Sequence, residues 1–313
     1  MDIKRGIIEG NRVALAKLIT MAEDGRQEAI DIIRELYGKS GLAYIIGITG
    51  PPGVGKSTLT AGLAKMYSDL GKRVGIIACD PTSPYTGGAI LGDRIRMQKL
   101  FTDPNIFIRS MGSRGHLGGL SMSTRITSRI MDIFGMDYIF IETVGVGQSE
   151  VEIADMADTT IMVLAPGLGD DIQAMKAGIM EIGNVFVVNK CDRDGADKTA
   201  REIEAMLDFN DKSAWRPKVI KAAAQADEGL DNITNAVGEH EKYIKESDIF
   251  MSKRKEHIKE EIMELATNSI MSDIMSRLPK DELNSIVDKT VNGETDPYSA
   301  ANCILKPLRD RSV

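Results

Sequence analysis

The stretch Tyr44-Ile-Ile-Gly-Ile-Thr-Gly50-Pro51-Pro52-Gly53-Val54-Gly55-Lys56-Ser57-Thr58 joins an apolar, β-prone run to a glycine-rich turn and then to an Ala/Leu-rich helical segment. Its centre, Gly50 to Ser57, fits the Gly-x-x-x-x-Gly-Lys-Ser pattern, and strand, turn and helix are the context that gives that pattern meaning. Peptide N–H groups of such a turn and of the helix start surround phosphates. Lys56 places a point charge beside the β- and γ-phosphates, Ser57 offers a hydroxyl to Mg²⁺, and Thr58 follows in the first helical turn.

Outward from this stretch the pattern predicts an α/β fold. Short apolar runs at Tyr44–Thr49, Val74–Cys79, Ile106–Ile108, Tyr138–Ile141, Thr160–Leu164, Val185–Asn189 and Val219–Lys221 alternate with helix-length segments. Such alternation marks a mostly parallel sheet. Residues 1–41 read as an N-terminal helical extension, with Ile7, Ala14, Leu15, Leu18, Ala29, Ile32 and Leu36 at roughly helical spacing. The P-loop domain is expected over 42–238 and a C-terminal helical arm over 239–313. Along that arm Ile258, Ile262, Leu265, Ile270, Ile274 and Leu278 form a stripe too apolar to stay solvated, so a second copy is expected to cover it.

Two more strand ends carry chemistry. Val185–Asn189 runs into Asn189-Lys190-Cys191-Asp192, the guanine-recognition pattern. A carboxylate at Asp192 accepts from both N1–H and the exocyclic amine of guanine, a donor pair that adenine lacks. The ligand expected is therefore GTP or GDP. Tyr138-Ile-Phe-Ile-Glu142-Thr-Val-Gly145 ends a strand in a carboxylate followed by a glycine, where a P-loop GTPase keeps its Mg²⁺- and water-orienting acid and its γ-phosphate sensor. Asp80, at the end of the run 74–79, and Asp93, in a Gly-rich loop, suit the same oxygen-rich cation site with Ser57 and Glu142.

Composition agrees with an ordinary soluble protein: 313 residues, 27% charged, 42% hydrophobic and a net charge of −7. That charge argues against nucleic acid as a partner. Cys79, Cys191 and Cys303 are too dispersed for a disulfide framework or a Cys-x-x-Cys metal site, which favours a reducing cytoplasm. Neither a signal peptide nor an apolar run of about 18 residues is found, so no membrane partner is expected.

With these residues in view, the chain resembles the MeaB/ArgK GTPases over roughly residues 1–310. The resemblance rests on Cys79-Asp-Pro-Thr-Ser-Pro-Tyr-Thr-Gly-Gly-Ala-Ile-Leu-Gly-Asp-Arg-Ile-Arg-Met97, Arg109-Ser-Met-Gly-Ser-Arg-Gly-His-Leu-Gly-Gly-Leu-Ser121, Glu142-Thr-Val-Gly-Val-Gly-Gln-Ser-Glu150 and Pro166-Gly-Leu-Gly-Asp-Asp-Ile-Gln-Ala-Met-Lys176. It implies a SIMIBI-class P-loop GTPase, dimeric through the C-terminal arm, that serves as chaperone to an adenosylcobalamin-dependent acyl-CoA mutase of the methylmalonyl-CoA mutase type. It further implies that Asp80, Asp93 and Glu142 surround Mg²⁺, and that 166–176 is a switch whose Asp170 and Lys176 touch the mutase. Cobalamin itself would stay on the mutase.

Two positions depart from that pattern. The family's Ser-Ala at the base becomes Ala222-Ala-Ala224, where the backbone of Ala224 can still cap the base, and a frequent second lysine after Lys176 becomes Ala177. Some relatives bear the label of lysine/arginine/ornithine transport-system kinase, but Asn189–Asp192 selects guanine. A nickel-insertion GTPase would need a Cys/His site that the spacing does not offer, and a non-catalytic scaffold would not need Lys56, Ser57, Asp80 and Glu142. Arg109, Arg114 and His116 lie in a glycine-rich stretch with no strand expected, and His116 reads as structural.

Overall fold

The computed structural model describes residues 2–81, 97, 100–113, 122–143, 149–167, 179–209 and 214–309. Two compact units divide at Phe250. In the first, the helices Ile3–Ile8 (α1), Arg12–Glu23 (α2) and Gln27–Leu36 (α3) precede the strand Tyr44–Thr49 (β1) and the helix Lys56–Asp69 (α4). Then come Val74–Pro81 (β2), Ile106–Ser113 (β3), the helix Met122–Phe134 (α5), Tyr138–Glu142 (β4), the helix Ser149–Met156 (α6) and Thr159–Leu164 (β5). The unit closes with a short helix Ile179–Ile182 (α7), Val185–Val188 (β6), the helix Ala196–Phe209 (α8), Lys218–Lys221 (β7) and the helix Leu230–Glu246 (α9). The helix Ile249–Arg277 (α10) leads into the second unit, which continues with Lys280–Val291 (α11) and Pro297–Arg309 (α12).

The seven strands form one sheet in the order β3-β2-β4-β1-β5-β6-β7, and every pairing is parallel. Alternate residues of each strand serve opposite faces. Ile46, Ile48, Ile76 and Phe140 pack toward α4 and α9 with Leu59, Leu63, Leu230 and Ile233, whereas Ile77, Ile139 and Ile141 pack with Leu15, Leu18, Ile130 and Ile153. Burial on both faces explains why these strands read as unbroken apolar runs instead of alternating ones. Near the other edge Met162, Leu164, Phe186 and Val188 meet Ile203 and Leu207 of α8.

One strand is longer than expected. β3 runs to Ser113, well past Ile108, because Arg109, Ser110 and Met111 pair in register with Ile77, Ala78 and Cys79 of β2. A polar residue within a strand paired on its neighbour has no apolar signature of its own, so Arg109 does lie in a strand. Its guanidinium reaches back to α2, pairing with Glu23 and donating to Thr20 Oγ1 at 3.2 Å. Arg114 and His116 lie outside the described residues. The N-terminal helices also share the sheet's core, since Ile7, Leu15, Leu18 and Ile19 are buried in the same cluster as Ile77 and Ile139. The boundary expected after residue 238 falls within α9.

Where the N-terminal layer meets β1, a single carboxylate holds the chain. Asp132 of α5, only 7% exposed, accepts from the N–H groups of Gly41, Leu42 (3.1 Å) and Ala43 (2.9 Å). Three consecutive amides at the entrance to a central strand thus find acceptors without a sheet partner. Among the described residues no helix is long and apolar enough to cross a membrane. Asp132→Ala should lower the unfolding free energy by about 1–3 kcal/mol in urea titration, since the buried Ala43 amide loses its acceptor, while Asp132→Asn should lose less.

Candidate nucleotide site

The site lies where the strand order reverses. β1 has β4 on one side and β5 on the other, and loops leaving the carboxyl ends of neighbouring strands part there to leave a crevice. The turn leaving β1 occupies it. Gly50 has φ 139°, and a Cβ there would stand 2.0 Å from the backbone oxygen of Val163 in β5, so only glycine can turn at that point. Gly55 has φ 96°, and its Cβ would meet Asn189 Nδ2 at 2.5 Å.

Between these glycines lie Pro51, Pro52, Gly53 and Val54, the last buried in the core beneath the loop. Lys56, 6% exposed, donates from Nζ to Gly50 O at 2.7 Å and to Pro51 O at 2.9 Å. The cation is thereby held inside the ring of peptide groups formed by the loop. α4 begins at Lys56 with no acidic residue in its first turn, leaving the positive end of its dipole to an incoming anion. Thr58 sits half-buried in that turn.

Ser57 and Glu142, two of the expected site residues, lie side by side. Ser57 Oγ donates to Glu142 Oε1 at 2.6 Å, and both residues are at most 6% exposed. A hydroxyl and a carboxylate in a buried setting are hard oxygen donors, a set that suits Mg²⁺. Asp80 lies near the end of β2, two positions beyond Ala78, the register partner of Glu142, although its side chain is outside the described set. Asp93 and Gly145 lie outside the described residues, as do Asp170, Lys176 and Ala177.

The base-side loops are tied to the phosphate-side loop by Asn189. Its Nδ2 donates to Val54 O at 2.8 Å, and its Oδ1 accepts from the backbone N–H of Ala224 at 3.0 Å. Lys190, with φ 58°, donates to Gly53 O at 2.6 Å. Asp192 is exposed at the turn that follows. Ala224 therefore still meets Asn189, because a backbone N–H makes the contact. Sequence reasoning missed two residues at this site. Thr49 Oγ1 and Thr143 Oγ1 lie 2.9 Å apart, both buried, and no local pattern announces a hydroxyl pair between different strands.

Comparison with known proteins follows this geometry. The family model described as "Methylmalonyl Co-A mutase-associated GTPase MeaB" matches residues 15–278. A protein of Pyrococcus abyssi named as a GTPase is 46% identical over 304 residues, covering 96% of this chain and 94% of that protein. The mouse protein named methylmalonic aciduria type A homolog, mitochondrial, is 32% identical over 328 residues, covering 98% of this chain and 79% of its own length. A crystal structure titled LAO/AO transport system kinase superposes with a TM-score of 0.71 at 23% identity, over 98% of this chain and 97% of that one, a likeness of fold.

Two substitutions should separate the roles of the base-side loop. Asn189→Ala strands the Val54 carbonyl and the Ala224 N–H, and a buried group left unpaired costs about 1–3 kcal/mol, so affinity for GDP should fall about tenfold or more in calorimetry. Asp192→Asn should instead weaken GDP while improving binding of xanthosine diphosphate, which presents an acceptor where guanine presents its amine.

Proposed function

This chain belongs to the MeaB family of methylmalonyl-CoA mutase-associated GTPases, and from that premise we propose that it is a GTP-hydrolysing chaperone of an adenosylcobalamin-dependent acyl-CoA mutase. The observation that carries the nucleotide part is the pair of hydrogen bonds by which Asn189 joins the phosphate loop to the loop at Ala224. Such a joint makes the base site and the phosphate site one unit, so the guanine-reading carboxylate of Asp192 is held in fixed relation to Lys56.

In this reading Gly50–Thr58 receives the phosphates and Lys56 exchanges its carbonyl partners for phosphate oxygens. Ser57 and Glu142, with Asp80 and Asp93, are the residues that would hold Mg²⁺, and the ion when bound would neutralise charge on the β- and γ-phosphates. Gly145 offers its peptide N–H to the γ-phosphate. The next side chain is Val146, which cannot orient a water, and Gln148 is two positions further on. Intrinsic turnover is therefore slow, on the order of ~10⁻⁴–10⁻² s⁻¹. The segment 166–176 passes the state of the nucleotide to the mutase through Asp170 and Lys176, gating delivery of adenosylcobalamin and rescue of inactivated mutase. The chaperone holds no cobalamin of its own.

The partner part is supported by the family's printed description and the name of the mouse relative. A second copy of this chain is the other partner proposed. Of the expected stripe along α10, Ile258, Ile262, Leu265 and Ile270 are 37–58% exposed, whereas Ile274 is already buried. A run of large apolar side chains on one long helix calls for a cover. The proposal places these helices of two chains against each other in a cytoplasmic homodimer.

GTP turnover measured by phosphate release should rise at least about tenfold when an adenosylcobalamin-dependent acyl-CoA mutase is added. Asp170→Ala or Lys176→Ala should abolish that rise and leave affinity for GDP unchanged; a mutase that never alters turnover would remove the chaperone reading. Light scattering should find a dimer for the full chain and a monomer for a chain ending at Phe250, and a full chain that is monomeric at micromolar concentration would remove the homodimer.

A further inference from the structure

The phosphate loop is gripped at both ends by two consecutive residues, Glu142 at the end of β4 and Thr143 just beyond it. After the loop, Ser57 Oγ donates to Glu142 Oε1 at 2.6 Å; before it, Thr49 Oγ1 and Thr143 Oγ1 lie 2.9 Å apart. The second contact extends the sheet beyond its last paired residues. Ile48 and Glu142 are register partners, so Thr49 and Thr143 are the next lateral pair, and Thr143 N also donates to Ile48 O at 3.1 Å. Both hydroxyls are at most 1% exposed, so water cannot replace either partner.

The two grips differ in what a nucleotide does to them. Ser57 is the hydroxyl that turns to Mg²⁺ in the reading above, which takes it away from Glu142. Thr49 and Thr143 bond each other, and that reading assigns neither of them to the phosphates or the ion. Gly145, whose N–H that reading assigns to the γ-phosphate, follows Thr143 by two residues in the chain. The threonine pair therefore fixes the point from which the sensing segment starts. A misplacement of about 1 Å at a reacting centre can cost on the order of a hundredfold in rate.

We propose that Thr143, held by Thr49, is a positioning residue for GTP hydrolysis that sets the origin of the Gly145 segment against the phosphate loop. This rests on the reading of the site as a GTPase site. Neither hydroxyl touches the phosphates, so the pair acts on turnover and not on nucleotide affinity. Stability does not require it either, because replacing both members of a buried hydrogen bond by apolar groups of the same shape is nearly neutral.

The test is a double-mutant cycle of Thr49→Val and Thr143→Val, with Thr143→Ser as the conservative variant. Each is read by kcat and KM for GTP, by affinity for a fluorescent GDP analogue and by thermal unfolding. Each single Val variant should lower kcat about tenfold with KM and GDP affinity within about twofold, and the double variant should match the singles instead of multiplying them. The double variant should melt near the wild type, and Thr143→Ser should keep wild-type kcat. Should a single variant fail to fold, the double variant, which leaves no hydroxyl unpaired, reads the same loss. Unchanged kcat in the double variant, a fall in GDP affinity parallel to kcat, or a Thr143→Ser variant as impaired as Thr143→Val would overturn the proposal. A wild-type chain that binds no GDP would instead overturn the nucleotide reading on which it rests.

Discussion

The backbone oxygen of Val163 stands where a side chain of residue 50 would begin, 2.0 Å from the position of a Cβ. Because of this one exclusion, β1 can only leave the sheet through a glycine, and the chain must turn immediately between β4 and β5. All that follows depends on that turn. It sets the loop's peptide groups over the reversal in strand order, starts α4 at Lys56, and brings Ser57 beneath Glu142. The same close approach recurs at Gly55, where Asn189 occupies the space. Phosphate loop, carboxylate strand and base loop are thus packed against one another through positions that admit no side chain.

A second constraint is that the sheet is covered on both faces. Strand residues alternate between a core with α4 and α9 and another with α2 and α5, so no face of the central strands is free for solvent. The N-terminal helices belong to this scheme. Arg109 tied to Glu23 joins α2 to β3, and Asp132, gathering the amides of residues 41–43, joins α5 to the start of β1. A buried carboxylate with several N–H donors is a rigid joint, since every alternative leaves a charge or an amide unsatisfied. Helices far from the nucleotide along the chain thereby help to fix where β1 begins.

Much of the candidate site could be picked out in the sequence because its patterns are local. A glycine-rich turn with Lys56 and Ser57, and a strand ending in Asn189-Lys190-x-Asp192, are each defined by residues a few positions apart. Covalent spacing alone puts them in reach of one ligand moiety. The strands were legible for a related reason, since parallel strands buried on both faces must be apolar throughout. β3 was cut short at Ile108 because its second half owes its extension to pairing with β2, and Arg109, Ser110 and Gly112 carry no such signature.

What the sequence by itself determined, then, is the P-loop architecture and the family to which the chain belongs. Only the tertiary structure decided how these pieces are joined. That Asn189 bonds Val54 and Ala224, that Lys190 reaches Gly53, and that Thr49 meets Thr143 across two strands are relations between segments from 35 to 137 residues apart. Several of the partners are backbone atoms, which every residue possesses, and the rest are hydroxyls that are common anywhere. Neither leaves a mark in a one-dimensional pattern, because the contact is created by the register of the sheet and not by the identity of the side chain.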